Sequence, residues 1–331
     1  MWNASDTRYA AMQYRRCGHS GLKLPAVSLG LWKNFGAGSS FSNAETMCRT
    51  AFDLGITHFD LANNYGHPAN GSAEENFGQI LRNGLGIYRD ELCISTKAGY
   101  EMWPGPYGGR HGSRKYLIAS LDASLRRMGL EYVDIFYHHV YDPDTPLEET
   151  ALALDQIVRQ GKALYVGISN YDREQTARMQ AILRELRTPL IVNQPSYSML
   201  NRWVEADALD AYCLENGLGL SVFSPLAQGL LTSRYLGGIP EDSRIGKGNT
   251  FLGEQLTEPM LARLRALDAI AQERGQSLSQ LAIVWLLHNP AVATVLIGAS
   301  RPEQIAENAA ALAHPVLSEA ELECIEAILQ G

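Results

Sequence analysis

Short apolar runs alternate with segments of helical spacing along most of this chain. The short apolar runs 26–29, 58–61, 92–95, 133–138, 164–168, 190–193, 218–223 and 294–297 read as strands. Between them, 44–54, 114–128, 148–160, 173–186 and 204–215 repeat apolar residues at helical intervals. Caps support the pattern. Ser72 and Glu75 read as a capping box, Asn43 and Asp172 as N-caps, and Gly55, Gly129, Gly161 and Gly217 stand where a positive φ ends a helix cheaply.

The result is about eight β-α units with no Pro/Ser/Gly linker between them, so residues 1–331 read as a single closed (β/α)8 barrel domain. Before the barrel, 13–16 and 22–24 flank Gly18-His-Ser-Gly21, a predicted hairpin over the barrel floor. Two segments, 100–112 and 224–259, are too long for simple connections and are expected to wall or cover the active face.

Composition narrows the function. A net charge of −8 and a pI near 5.5 argue against general nucleic-acid binding, which needs clustered Lys and Arg. The five cysteines are scattered, with no Cys-x-x-Cys pair, and fit reduced thiols in a cytoplasm. The first twenty residues lack the apolar core of a secretory signal, and no apolar run reaches the roughly 18 residues of a spanning helix, so neither targeting nor direct membrane association is expected. No metal-ligand motif stands out, since His138 and His139 are sequential on a strand and point to opposite faces. The first strand leads into Gly30-Leu-Trp-Lys-Asn-Phe-Gly36, not a Gly-x-Gly-x-x-Gly turn, and no Walker loop is present.

The chemistry is expected in four polar residues near strand ends: Asp60 and Tyr65 within THFDLANNYG, then Lys97 and His139. A free tyrosine, with pKa about 10, is a poor acid near neutrality unless its phenolate is stabilised. A lysine beside the phenol supplies that field, and an aspartate keeps the lysine charged and aimed. Taken singly, Asp60 reads as a loop cap and Tyr65 as packing, and the pattern leaves open whether His138 or His139 faces inward. Jointly they suit proton donation to a carbonyl.

These residues carry a resemblance over essentially the whole chain. FDLANNYG, ISTKAG and YVDIFYHH resemble the aspartate-tyrosine, lysine and histidine segments of the aldo-keto reductases. LGLWKNFG, MWPGPYG, QPSYSMLNRW and FSPLAQGLL are similar to the branch that holds bacterial L-glyceraldehyde 3-phosphate reductases and potassium-channel β subunits. The resemblance implies Tyr65 as proton donor, Lys97 and Asp60 as its tuning pair, and His139, not His138, as the orienting group. It implies NADPH bound in an extended conformation: Ser169, Asn170 and Gln194 near the carboxamide, Phe223 stacked on the ring, and Trp32 and Asp60 beside it. Ser224, Leu226, Gln228 and Gly229 begin a loop over the pyrophosphate, with Arg234 and Arg244 further along. Gly298, Ser300, Arg301, Gln304, Glu307 and Asn308 match the adenosine site, where Arg244 and Arg301 suit a 2′-phosphate.

Trp32, Tyr65, Trp103 and His139, with Tyr107, are expected to wall the substrate pocket, and Lys33, Arg110, His111 and Lys115 are candidate phosphate partners. The implied activity is NADPH-dependent reduction of a short aldehyde such as glyceraldehyde 3-phosphate, by a homo-oligomer of four or more chains. The implied alternative is a cofactor-sensing binding subunit like the channel partners.

Overall fold

The computed structural model describes residues 2–66, 69–107, 111–241, 245, 246, 248 and 250–330. Eight strands close a parallel barrel in chain order: β3 (Val27–Gly30), β4 (His58–Asp60), β5 (Cys93–Ala98), β6 (Val133–His138), β7 (Ala163–Ser169), β8 (Leu190–Gln194), β9 (Gly219–Val222) and β10 (Val292–Ile297). Val295 pairs with Val27 to seal it. Before it, β1 (Tyr14–Arg16) and β2 (Lys23–Pro25) pair antiparallel. The hairpin lies over the floor as expected, where Cys17 and Leu24 pack with Cys93, Ile135, Tyr137 and Ile191. Among the described residues, no helix is long and apolar enough to cross a membrane.

The helices that follow β3 to β6 in the chain are α1 (Phe41–Asp53), α2 (Ser72–Arg82), α3 (Arg114–Met128) and α4 (Leu147–Arg159). Then follow α5 (Arg173–Glu185), α6 (Trp203–Ala206), α7 (Leu209–Glu215), α8 (Thr250–Gln255), α9 (Glu258–Glu273), α10 (Leu278–His288), α11 (Pro302–Ala309) and α12 (Glu319–Gln330). α1 buries one stripe, turning Ala44, Met47, Cys48, Ala51 and Phe52 inward, whereas α10 is buried nearly all round.

Several local expectations are corrected. Ser40, not Asn43, caps α1, its hydroxyl accepting the Asn43 N–H, while the Asn43 amide donates to the Ser300 carbonyl. Ser72 is already helical behind Gly71 at φ 82, and its hydroxyl accepts from the Ala37 N–H at 3.0 Å, so no capping box forms there. In both cases a tertiary neighbour claims the side chain. Asp172 does form a capping box, with Gln175. The helix expected over 204–215 breaks at Ala208, held at φ 54, where Asp207 accepts the Arg173 N–H. The strand expected to end at Ser95 runs on to Ala98, because Lys97 and Ala98 continue the pairing with Tyr137 and His138. Lys97 therefore sits inside the wall of the barrel. The long segment 224–259 holds short turns, α8 and the start of α9.

α2 crosses α3 at Gly78, where a Cβ would fall 2.6 Å from the Arg127 oxygen and 2.8 Å from the Met128 Cα. Alanine is the better helix former by about 1 kcal/mol. Overpacking against backbone costs about 1–3 kcal/mol, so contact wins over propensity. Gly78→Ala is expected to lower the urea midpoint at unchanged slope; a raised midpoint would contradict this packing.

Candidate active site

The carboxyl ends of the strands carry the polar residues. Asp60 ends β4, Lys97 is next to last in β5, His139 follows β6, Ser169 ends β7 and Gln194 ends β8. Parallel strands in a closed barrel deliver all five to one rim. Tyr65 reaches the same place through a turn in which its N–H bonds the Ala62 carbonyl.

Lys97 has no solvent exposure. Its three donors are all used: Asp60 Oδ2 at 2.5 Å, the Leu61 carbonyl at 2.6 Å and the Tyr65 hydroxyl oxygen at 3.1 Å. Burial disfavours its charge, but Asp60 and Tyr65 outweigh that and raise its pKa above the ordinary value. An ammonium that donates to the phenol oxygen leaves the Tyr65 proton free to point elsewhere. Burial pushes the Tyr65 pKa up while Lys97 pulls it down, with a net rise. The phenol therefore holds its proton near neutrality, and a phenolate formed there would find its counter-charge in place.

Asp60 is fixed from the other side: Ser95 donates to Oδ1 at 2.7 Å and Gln194 at 3.1 Å. Sequence reading passed over Ser95, although it precedes Lys97 by two and so shares its face of β5, a signal that strand parity offers.

The structure separates the two histidines. His138 bonds the Tyr171 hydroxyl at 2.6 Å and the His111 carbonyl at 3.3 Å. His139 turns to the mouth, its ring 5.9 Å from that of Tyr65 and 4.6 Å from that of Tyr100, both edge-on. Its Nδ1 is buried without a hydrogen-bond partner among the described residues. Burial, then Lys97 and His138, hold its pKa well below the ordinary range, so the imidazole is neutral.

A cavity of about 510 Å³ adjoins His139 through Tyr100 and is lined by Asn64, Glu101, Met102, Trp103 and Pro104. Trp103 is backed by Tyr116 at 5.1 Å, while Trp32, 56% exposed, leans toward Tyr65 at 6.3 Å. Lys33 lies over the Trp32 ring at 4.7 Å, and Lys115 over Tyr107 at 5.1 Å. Arg110 and Arg244 lie outside the described residues.

The remaining rim residues occupy two neighbouring groups. Ser169 donates to the Gln194 carbonyl, and the Asn170 amide donates to the His139 carbonyl at 3.1 Å. Phe223 is half-buried at the end of β9, bridged to Ser196, and Leu226 packs on the core. Asn170, Ser224, Ala227 and Gln228 all take positive φ, a concentration of left-handed non-glycine backbone beside one mouth. Such backbone is costly and collects at ligand clamps. Gly229 also has positive φ, and Arg234 is exposed beyond it. After β10, Gly298 has open space where a Cβ would stand. Ser300 bonds Gln304 through its N–H and hydroxyl, Arg301 is exposed, and Asn308 is buried. Glu307 accepts from Ser277 at the start of α10.

A closed parallel barrel with this rim belongs to the oxidoreductases: the chain is a member of the aldo/keto reductase family, whose model matches residues 26–330. That family generally uses NAD(P)H. The chain is 58% identical over 330 residues to L-glyceraldehyde 3-phosphate reductase of Escherichia coli (strain K12), covering 98% of this chain and 95% of that protein. It is 39% identical over 327 residues to a probable voltage-gated potassium channel subunit beta of Arabidopsis thaliana, covering 97% of each. Among solved structures, a thermostable aldo-keto reductase, Tm1743, in complex with the inhibitor epalrestat matches with a TM-score of 0.77 at 30% identity, covering 96% of this chain and all of that one.

The buried imidazoles have a consequence for stability. Burial pushes His58 and His138 to about 4, and His139 shifts the same way. The unfolded chain, with imidazoles near 6.5, takes up these protons first as pH falls, so stability is full above that value and declines below it until the folded state protonates. Between pH 7 and 5 the first two are expected to remove about 4 kcal/mol, read as a falling urea midpoint. A midpoint that stays level over this range would contradict the neutral assignment.

Proposed function

We propose that this chain reduces short aldehydes with NADPH, glyceraldehyde 3-phosphate among them, and that Tyr65 donates the proton. The observation that carries the reading is the Lys97 ammonium, held between the Asp60 carboxylate and the Tyr65 oxygen with every donor used. Tyr65 gives its proton to the carbonyl oxygen, and Lys97 stabilises the phenolate left behind. Asp60 maintains the lysine charge. His139, neutral and with a buried nitrogen to spare, orients the same oxygen by a hydrogen bond without competing as an acid. Bound NADPH supplies the hydride.

The residues fit such a cofactor. Left-handed backbone at Asn170, Ser224, Ala227 and Gln228 and the open face at Gly298 offer a groove around the rim. Phe223 would flank the ring, and Ser169, Asn170 and Gln194 its carboxamide. The exposed Arg301, ahead of an α11 N-terminus that no side chain caps, suits a 2′-phosphate and favours NADPH over NADH.

Turnover of Tyr65→Phe is expected to fall by about 10²- to 10⁴-fold with NADPH binding retained, read by NADPH oxidation and by fluorescence titration. Wild-type turnover in that variant would sink the assignment. Lys33, linked to Tyr65 through the Trp32 ring, is the described cation best placed for a substrate phosphate. Lys33→Ala is expected to raise KM for the phosphorylated aldehyde and leave KM for its unphosphorylated counterpart unchanged; equal effects on both would remove Lys33 from that role.

The identity to channel subunits favours a second reading, a cofactor-sensing binding subunit. Tight NADPH binding with negligible turnover across a broad aldehyde panel would put that reading first.

A further inference from the structure

The interior of the barrel behind Asp60 is not wholly apolar. Ser28 of β3, His58 of β4, Ser95 of β5 and Thr294 of β10 are all without solvent exposure. They form one continuous line of hydrogen bonds. Thr294 Oγ1 is 2.6 Å from Ser28 Oγ, which is 2.9 Å from His58 Nδ1; His58 Nε2 is 2.9 Å from Ser95 Oγ, which is 2.7 Å from Asp60 Oδ1.

The direction of every bond in the line follows from its end. Asp60, 2.5 Å from the Lys97 ammonium, is a carboxylate and can only accept. The single Ser95 proton therefore goes to Asp60, and at its contact with His58 the serine must accept, which places a proton on Nε2. His58 is neutral: burial pushes its pKa to about 4, with Asp60 raising it and Lys97 lowering it. A neutral imidazole with Nε2–H has a bare Nδ1, so Ser28 donates to it. Ser28, its proton spent, accepts from Thr294. All four donors point toward Asp60, and each step is polarised by the one before it.

We infer that His58 is a positioning residue for the reaction: through Ser95 it delivers a fixed, buried donor to Asp60 Oδ1, and so sets how much of the aspartate charge reaches Lys97 and Tyr65. Without that donor, Oδ1 keeps only the Gln194 amide at 3.1 Å, a group at the rim beside the mouth. More of the Asp60 charge then falls on Lys97, which stabilises a Tyr65 phenolate less, and the phenol becomes the weaker acid. The relay enters from inside the barrel, on the side away from the mouth. The inference rests on the reading of Tyr65 as proton donor.

Two measurements test it. In the ¹⁵N spectrum of the wild-type protein near neutral pH, His58 is expected as a neutral ring with its proton on Nε2; a proton on Nδ1 would overturn the direction of the relay, whatever the enzyme does. In kinetics, His58→Leu and Ser95→Ala are expected to lower kcat by about 10- to 100-fold, the scale of a hydrogen bond to a charged group, with the NADPH Kd unchanged. The alkaline limb of the kcat/KM profile, which follows Tyr65, moves to higher pH. His58→Gln, whose amide N–H replaces Nε2–H, recovers most of the turnover.

An unmoved alkaline limb, or equal losses in the Gln and Leu variants, would reduce His58 to a packing residue and overturn the proposal. Tyr65→Phe separates the two levels. If it is inactive while His58→Leu behaves as wild type, the relay falls and the proton donor stands; if it is fully active, both fall.

Discussion

An ammonium sealed inside a barrel wall is tolerable only beside a negative charge, and Lys97 with Asp60 is that arrangement. Taking either ion out of water costs several kcal/mol, and removing one partner leaves the other uncompensated at about 3–5 kcal/mol. The surroundings are accordingly built to complete the pair. Leu61 turns its carbonyl to the lysine, Ser95 and Gln194 turn donors to the aspartate, and the last free contact of the ammonium is the Tyr65 oxygen. On the proposed function, the same contacts that make the buried charge affordable prepare the phenol to lose a proton.

The barrel contributes register. Asp60 pairs with Ser95, and Lys97 with Tyr137, so the ion pair is aligned by backbone hydrogen bonds before any side chain chooses a rotamer. The neutral histidines follow from the same enclosure. Burial that would be costly for an imidazolium keeps His139 a neutral hydrogen-bonding group at the mouth and His58 a neutral link within the wall.

The strands were legible as short, mostly apolar runs set between helical segments, since a strand covered on both faces carries few polar residues. Asp60, Tyr65 and Lys97 were legible by their places near strand ends. Other features depend on partners distant in sequence. Ser72 and Asn43 have the chemistry of caps, yet Ala37 and Ser300 claim them. Lys97 read as lying beyond its strand because the pairing that extends β5 comes from β6. The strand pattern alone left His138 and His139 equivalent and the family resemblance chose His139; in the structure Tyr171 and His111 occupy His138. His58 reads as one polar residue in an apolar run, since Ser28, Ser95 and Thr294 each come from a different strand.

On the proposed function, Lys97 makes Tyr65 more readily ionised than the buried phenols Tyr137 and Tyr171. Tyr137 and Tyr171 are buried without an ammonium bonded to the hydroxyl, and burial drives both above the ordinary value. The direct measurement is a pH titration of the protein labelled with ¹³C at tyrosine Cζ. Tyr65 is expected to ionise at lower pH than Tyr137 and Tyr171, and to lose that advantage in Lys97→Met. A Tyr65 resonance that titrates together with those two tyrosines in the wild-type protein would contradict it.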